Sequence, residues 1–282
     1  MTHPNKTSDN SIIKDLQPIF LVGAHKCAST SLALSLNHHP SIAVSSPKET
    51  RYYADKKVKN MYCYHDFFTI EDSTTHFLDA STHYSSGNFN DSPLQIARDW
   101  PNALILYIVR NSKDRYLSLK KQLVFSGEVQ YKDHAFILDN PYFFNSFLHG
   151  IWHQIYADLF GQHRVLILQY NELILNQEIT LRKIQEFLNV APLITSLERK
   201  NISSEKTHLP LAKVVSLRKL IRSSFLYTLI PPRVTHSIRL RFSTPITCKM
   251  LDSLSILTPN ELLKLKLINS INQVNCLAHH SY

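Results

Sequence analysis

The chain has 282 residues, 44% hydrophobic and 19% charged, with 31 Lys and Arg against 22 Asp and Glu, for a formal net charge of +9. That length suits one α/β domain with a sizeable core and does not require two. Cys27, Cys63, Cys248 and Cys276 are widely scattered and form no C-x-x-C pair, which argues against a zinc site or a disulfide framework and for a reducing compartment, and no apolar run approaches the ~20 residues that span a bilayer.

Residues 1–17 are polar and lack the apolar core of a signal peptide, so they read as a flexible start, with the folded domain over 18–282 and a cytoplasmic location. The first organised stretch is Pro18 to Leu32. An apolar run ends at Gly23, Lys26 follows, and the small residues Ala28, Ser29, Thr30 and Ser31 lead into Leu32, Ala33 and Leu36 on one helical face. This is strand, loop, helix. The first turn of such a helix leaves amides without partners and carries the positive end of the dipole, so the loop is a cradle for an anion, with Lys26 adding a full charge and the hydroxyls adding donors. The lysine precedes the small residues and the second glycine is absent, so this is not a Walker A loop.

Ser46-Pro47-Lys48-Glu49-Thr50-Arg51-Tyr52-Tyr53 follows, and then Tyr62, Tyr64, Phe67 and Phe68 mixed with Lys56, Lys57 and Lys59. The stretch 52–68 reads as a solvated loop entering an amphipathic helix, with one wall of an acceptor cleft as the sharper reading. Thr75 to Tyr84 reads as a short strand and loop containing His83, an imidazole that titrates near neutrality and is an alternative proton acceptor to a carboxylate. A helix over 91–100 feeds a buried-type strand, Ala103 to Val109, which ends at Arg110; Ser118 lies eight residues on, in a helix.

With these segments the chain resembles the sulfotransferases that use 3′-phosphoadenylyl sulfate (PAPS), in their carbohydrate-type and bacterial branch. The resemblance implies that the loop His25, Lys26, Cys27, Ala28, Ser29, Thr30 and Ser31 holds the 5′-phosphosulfate, and that Arg110 and Ser118 hold the 3′-phosphate. Pro47-Lys48-Glu49 with its aromatics matches the branch segment whose glutamate is the usual base. Glu49 is therefore the first choice for general base and His83 the alternative, while Lys48 or Arg51 would tune it or hold an acidic acceptor. The family segment matching 75–84 ends in a tyrosine facing the acceptor, here Tyr84. Some members carry a lysine in that segment, where this chain has Asp79 and Ala80.

Farther along, Phe143, Phe147, Ile151, Ile155 and Leu159 form an apolar helical stripe over 142–160, read as core. His149 and His153 on that helix lack a carboxylate at matching spacing, so no metal is expected. Arg164 to Leu173 resembles the family's next strand and turn, and Ile179 to Leu188 the helix after it. Alternating strands and helices predict a P-loop-like parallel β-sheet flanked by helices on both faces, with ligands at the carboxyl ends of the strands and the core over 18–190.

Residues 199–249 carry eleven Lys and Arg against the single acid Glu205. This basic, mostly helical segment reads as a solvated face, as a rim steering a polyanionic donor, or as a peripheral membrane contact through 213–241. No nucleic-acid module accompanies it. Lys206-Thr207-His208 resembles the base segment of cytosolic phenol and steroid sulfotransferases, but follows the arginine/serine motif instead of preceding it, and is taken as coincidence. Thr258-Pro259-Asn260-Glu261 is a capping box that opens a helix over 258–277.

The expected function is metal-independent transfer of a sulfuryl group from PAPS, as co-substrate, to a hydroxyl or amine of a small natural product, sugar or glycolipid. Lys26 stabilises the leaving phosphate in that reading. The competing readings are a kinase-like P-loop phosphotransferase and a basic membrane-surface or nucleic-acid binding module. Nothing in the pattern specifies an oligomeric state.

Overall fold

The computed structural model describes residues 11–86, 91–193, 197, 208–210, 243–245 and 248–277. The chain divides into two compact units, discontinuous in sequence: residues 1–111, 141–200 and 268–282 form the first, and 112–140 with 201–267 the second.

The first unit is built on a five-stranded parallel sheet of order β2-β3-β1-β4-β5: β1 (Gln17–Gly23), β2 (Ile42–Val44), β3 (His76–Asp79), β4 (Leu104–Val109) and β5 (Val165–Gln169). Parallel strands buried on both faces read as unbroken apolar runs. Accordingly Ile19, Phe20, Leu21, Ile105, Leu106 and Ile108 are all fully buried. β1 is central, with Phe20 opposite Asp79 of β3 on one side and Ile105 of β4 on the other. The carboxyl ends of β1, β3 and β4 thus lie side by side, where the loops after Gly23, Asp79 and Val109 emerge.

The flanking helices of this unit are α1 (Ser11–Lys14), α2 (Ser29–Leu36), α3 (Lys56–Met61), α4 (Ser92–Asp99), α6 (Pro141–Ser146), α7 (His149–Phe160), α8 (Tyr170–Leu175) and α9 (Gln177–Leu188). Three expectations are corrected here. The end of the polar start is structured: α1 precedes β1, and Ile13 is fully buried in the core. The stretch 52–68 is not a solvated loop, because Tyr52, Tyr53, Tyr64, Phe67 and Phe68 are core residues packed ring against ring with Phe20, Phe77 and Trp100. Its lysines sit on the intervening α3, where Lys59 Nζ lies 5.6 and 5.3 Å from the Tyr52 and Tyr53 ring centres and donates to Gln95 of α4 at 2.7 Å. Finally, the segment 142–160 breaks between Ser146 and His149, and the buried stripe of α7 is Trp152, Tyr156 and Phe160, one position from the predicted one. Trp152 and Tyr156 each carry a polar tip. Each has a buried partner: Trp152 Nε1 donates to Asn145 O at 3.2 Å and Tyr156 OH to Tyr84 O at 2.9 Å.

The second unit contains α5 (Ser112–Ser126), a 3₁₀ turn at Tyr131–Asp139, the antiparallel pair β6 (His208–Pro210) and β7 (Ser243–Pro245), α10 (Cys248–Ser255) and the first half of α11 (Pro259–Leu277). The capping box is present, with Thr258 N–H donating to Glu261 Oε2 at 2.7 Å and Glu261 N–H to Thr258 Oγ1 at 3.3 Å. Glu261 also accepts from Tyr116 OH at 2.5 Å and pairs with Lys120 at 2.9 Å, both charged side chains being fully buried. Lys120 is further satisfied by Ile256 O at 3.0 Å. Apart from β6, β7 and the start of α10, the basic segment 199–249, its membrane contact at 213–241 and Lys206-Thr207 lie outside the described residues. Among those described, no helix is long and apolar enough to cross a membrane.

Candidate active site

The loop after β1 is shaped by close backbone approach. A Cβ on Gly23 would stand 2.6 Å from the Tyr107 ring on β4, so any side chain at this turn would have to displace that buried ring. Lys26 and Ala28 then adopt left-handed conformations with φ of 66° and 64°, uncommon for residues with a side chain and typical of positions fixed by their surroundings. Ala28 is the N-cap of α2, and its methyl group caps nothing, so the amides of the first turn are not satisfied by a cap side chain. Ser29 and Ser31 are buried at that end, with Thr30 between them half-buried. Cys27 is fully buried, its Sγ 3.5 Å from His25 O.

Arg110, just past the end of β4, reaches back to this loop. Its Nη1 donates to Lys26 O at 3.0 Å, and its guanidinium lies over the Tyr170 ring at 4.2 Å. Its Nε is buried without a hydrogen-bond partner among the described residues. Such a donor is costly to leave unsatisfied and is suited to an anion.

The loops after β2 and β3 bring a second group to the same place. Glu49 Oε2 accepts from Thr82 N–H at 2.9 Å and from His83 Nδ1 at 3.2 Å, and Oε1 pairs with Lys48, whose Nζ also donates to Ala80 O at 3.0 Å. Burial pushes the Glu49 carboxyl up, but the His83 hydrogen bond and the Lys48 charge, with a smaller contribution from His25, outweigh it and bring the pKa down to about 2. Thr82 Oγ1 lies 3.1 Å from His25 Nδ1, and the His25 and His83 rings meet edge to face at 5.0 Å. His25, Thr82, His83 and Glu49 therefore form one connected group, and its first member belongs to the anion loop.

The remaining expected site residues are placed differently. Arg51 is exposed, in the left-handed region at φ 58°, and 3.9 Å from Asp55. Tyr84, expected to face the acceptor, is fully buried with its hydroxyl on the Asp79 carboxylate at 2.8 Å. Ser118 lies on α5, in the second unit. The sequence reading missed Thr82 as the link between loop and carboxylate, Tyr170 as the platform under Arg110, and Asp79 as a buried acceptor. The only cue was a run of small polar residues after a strand. Among the described residues, no three His, Cys, Asp or Glu side chains are grouped to hold a metal.

Residues 88–193 match the sulfotransferase family model. The sulfotransferase match contains Arg110 and Ser118 and begins after Lys26 and Glu49. A crystal structure of a sulfotransferase from Alicyclobacillus acidocaldarius is similar with a TM-score of 0.56 and 22% identity, over 67% of this chain and 88% of that one, a likeness of fold. Also similar are the sulfotransferase domain of the Synechococcus PCC 7002 olefin synthase (TM-score 0.46, 14% identity, 91% of this chain and 95% of that one) and mouse sulfotransferase SULT7A1 complexed with PAP (0.48, 16%, 94% and 89%). No curated protein matches the chain.

Proposed function

We propose that the chain is a sulfotransferase that uses PAPS and transfers its sulfuryl group to a hydroxyl or amine of a small-molecule or saccharide acceptor. The observation that carries this reading is the Thr82–His25 contact, which joins the anion loop to a carboxylate–imidazole pair. A charge-stabilising group and a proton acceptor in one place are what in-line transfer to a hydroxyl requires.

Bound PAPS supplies an activated sulfuryl group and leaves as adenosine 3′,5′-bisphosphate. Lys26 and the amides at the start of α2 stabilise the negative charge on the departing 5′-phosphate. Arg110 holds the 3′-phosphate, to which its unused Nε–H is suited; Ser118 is assigned the same phosphate by the motif alone. Glu49 and His83 exchange the roles first expected of them. A carboxylate near pKa 2, paired with Lys48, is a weak base at neutral pH. An ionised Glu49 only accepts hydrogen bonds, so the proton between it and His83 sits on Nδ1, and Nε2 of the neutral ring carries the lone pair. His83 Nε2 takes the acceptor's proton, and Glu49 orients the ring and stabilises the imidazolium that forms. Lys48 holds Glu49 ionised.

Calorimetric titration of the full chain with adenosine 3′,5′-bisphosphate, 5′-AMP and Mg-ATP tests the donor. A 3′-phosphate gripped by Arg110 should give about 10–100-fold tighter binding than 5′-AMP, and Arg110→Ala should remove that difference. Equal affinity for all three nucleotides, or a preference for Mg-ATP, would overturn the reading in favour of a kinase-like one.

A further inference from the structure

The mechanism above leaves unused a carboxylate at the centre of the loops that carry it. Asp79, at the end of β3, is fully buried and, among the described residues, makes no ion pair; its partners are hydroxyl groups. Its Oδ2 accepts from Thr50 Oγ1 at 2.7 Å, Tyr84 OH at 2.8 Å and Tyr64 OH at 3.0 Å, and its Oδ1 from Ser81 Oγ at 2.6 Å. Four donors fill the acceptor capacity of one ionised carboxylate. Burial pushes its carboxyl above the ordinary value, and these hydrogen bonds, which favour the ionised form, offset only part of that rise.

The donors continue outward in an ordered way. Ser81 Oγ accepts the Arg51 N–H at 3.0 Å, Thr50 Oγ1 accepts the Tyr52 N–H at 3.2 Å, and Tyr84 OH accepts the Tyr53 N–H at 3.5 Å. Three consecutive amides, beginning two residues after Glu49, are thus suspended from one carboxylate through three hydroxyls. Direction matters here, because Thr50 Oγ1 also lies 3.0 Å from the Tyr84 oxygen and 3.3 Å from Ser81 Oγ. Those hydroxyls could also donate to one another, in an order that the contacts between them do not fix. The carboxylate draws each hydroxyl proton inward, which fixes one donor direction throughout the group and leaves the oxygen lone pairs for the backbone amides. The same hub fixes Ser81, next to Thr82 and His83, and Arg51 is held in its left-handed conformation between the two sides.

We propose that Asp79 is a positioning residue for this site: through Thr50, Ser81 and Tyr84 it sets the loop of Glu49 against the loop of His83, so that the imidazole donates Nδ1–H to Glu49 and turns Nε2 toward the reaction. The proposal rests on the Glu49–His83 assignment given above, and its test does not depend on the acceptor. The full chain is labelled with ¹⁵N-histidine, and long-range ¹H–¹⁵N correlation spectra are taken at pH 8, with His83 assigned by the loss of its signals in His83→Gln. Wild-type His83 should be in the Nδ1–H form, against the Nε2–H preference of unconstrained imidazole. Asp79→Asn and Ser81→Ala should each reduce the Nδ1–H fraction about two- to fourfold. Urea melts establish that the variants are folded, and Tyr84→Phe takes the place of Asp79→Asn if that variant does not fold.

A wild-type Nδ1–H signal that is lost in Glu49→Ala but kept in folded Asp79→Asn, Ser81→Ala and Tyr84→Phe would overturn the positioning role and leave the Glu49–His83 pair standing. A wild-type His83 in the Nε2–H form would overturn the pair itself, and the positioning role with it. Neither outcome bears on donor binding, which the calorimetric titration reads separately.

Discussion

Glu49 is a carboxylate whose surroundings decide its chemistry. Its pKa falls from the ordinary 4.5 to about 2 on folding, so the native state binds its proton more weakly than the unfolded chain. The stabilisation this brings is complete above about pH 4.5 and is lost as pH falls toward about 2. Urea midpoints of wild type and Glu49→Gln across that interval should converge with falling pH; a gap unchanged from neutral pH to acid would contradict the Lys48 and His83 contacts. At this scale the sequence was informative about identities and silent about partners. Arg110 stood out at a strand end, Lys26 in the loop between a strand and a helix, His83 as an imidazole in a loop, and Glu49 through the resemblance carried by Pro47-Lys48-Glu49. That Glu49 is claimed by both Lys48 and His83 was not legible, since it depends on the loops after β2 and β3 meeting, 34 residues apart.

Among the elements, the aromatic stretch around α3 shows where periodicity misleads. Alternation with lysines suggested a wet surface, whereas the rings of Tyr52, Tyr53, Tyr64, Phe67 and Phe68 face the sheet and the lysines belong to one short exposed helix. Phe77, on β3, has ring contacts with Phe20, Tyr64, Phe68 and Trp100 and is fully buried. Phe77→Ala should therefore cost about 3–5 kcal/mol in a denaturant titration, by loss of burial and a residual cavity. Met61→Ala, at a position 64% exposed on α3, should stay within about 0.5 kcal/mol. Strands β1, β4 and β5 were readable as unbroken apolar runs bounded by polar residues, and β3 as a short strand, whereas β2, only three residues long, was not foreseen.

For the molecule as a whole, its two units differ in how far they could be foreseen. The parallel sheet follows from alternating elements and was expected. In the second unit the helix carrying Ser118 and the capping box of α11 were visible, the latter a local pattern within four residues. Its glutamate also neutralises Lys120, 141 positions earlier, with Tyr116 as a third member, and nothing local announces such a pairing. Glu261→Ala would leave the Lys120 ammonium buried and unpaired, at a cost of about 3–5 kcal/mol by chemical denaturation. Replacing Glu261 with no more loss than an ordinary N3 substitution would show that Lys120 reaches water.

The central place of β1 also orders events during synthesis. Gln17 pairs with His76 and Ile19 with Leu104, so the strand that carries the anion loop is made first and acquires its neighbours last. Until β4 has left the ribosome, Gly23 lacks the Tyr107 ring that shapes its turn, and the loop has no Arg110 to hold the Lys26 carbonyl. A nascent chain ending short of that strand has the residues of a nucleotide cradle without the cradle. Such non-local pairing is also the slow kind, since chain closure must precede the contacts that reward it.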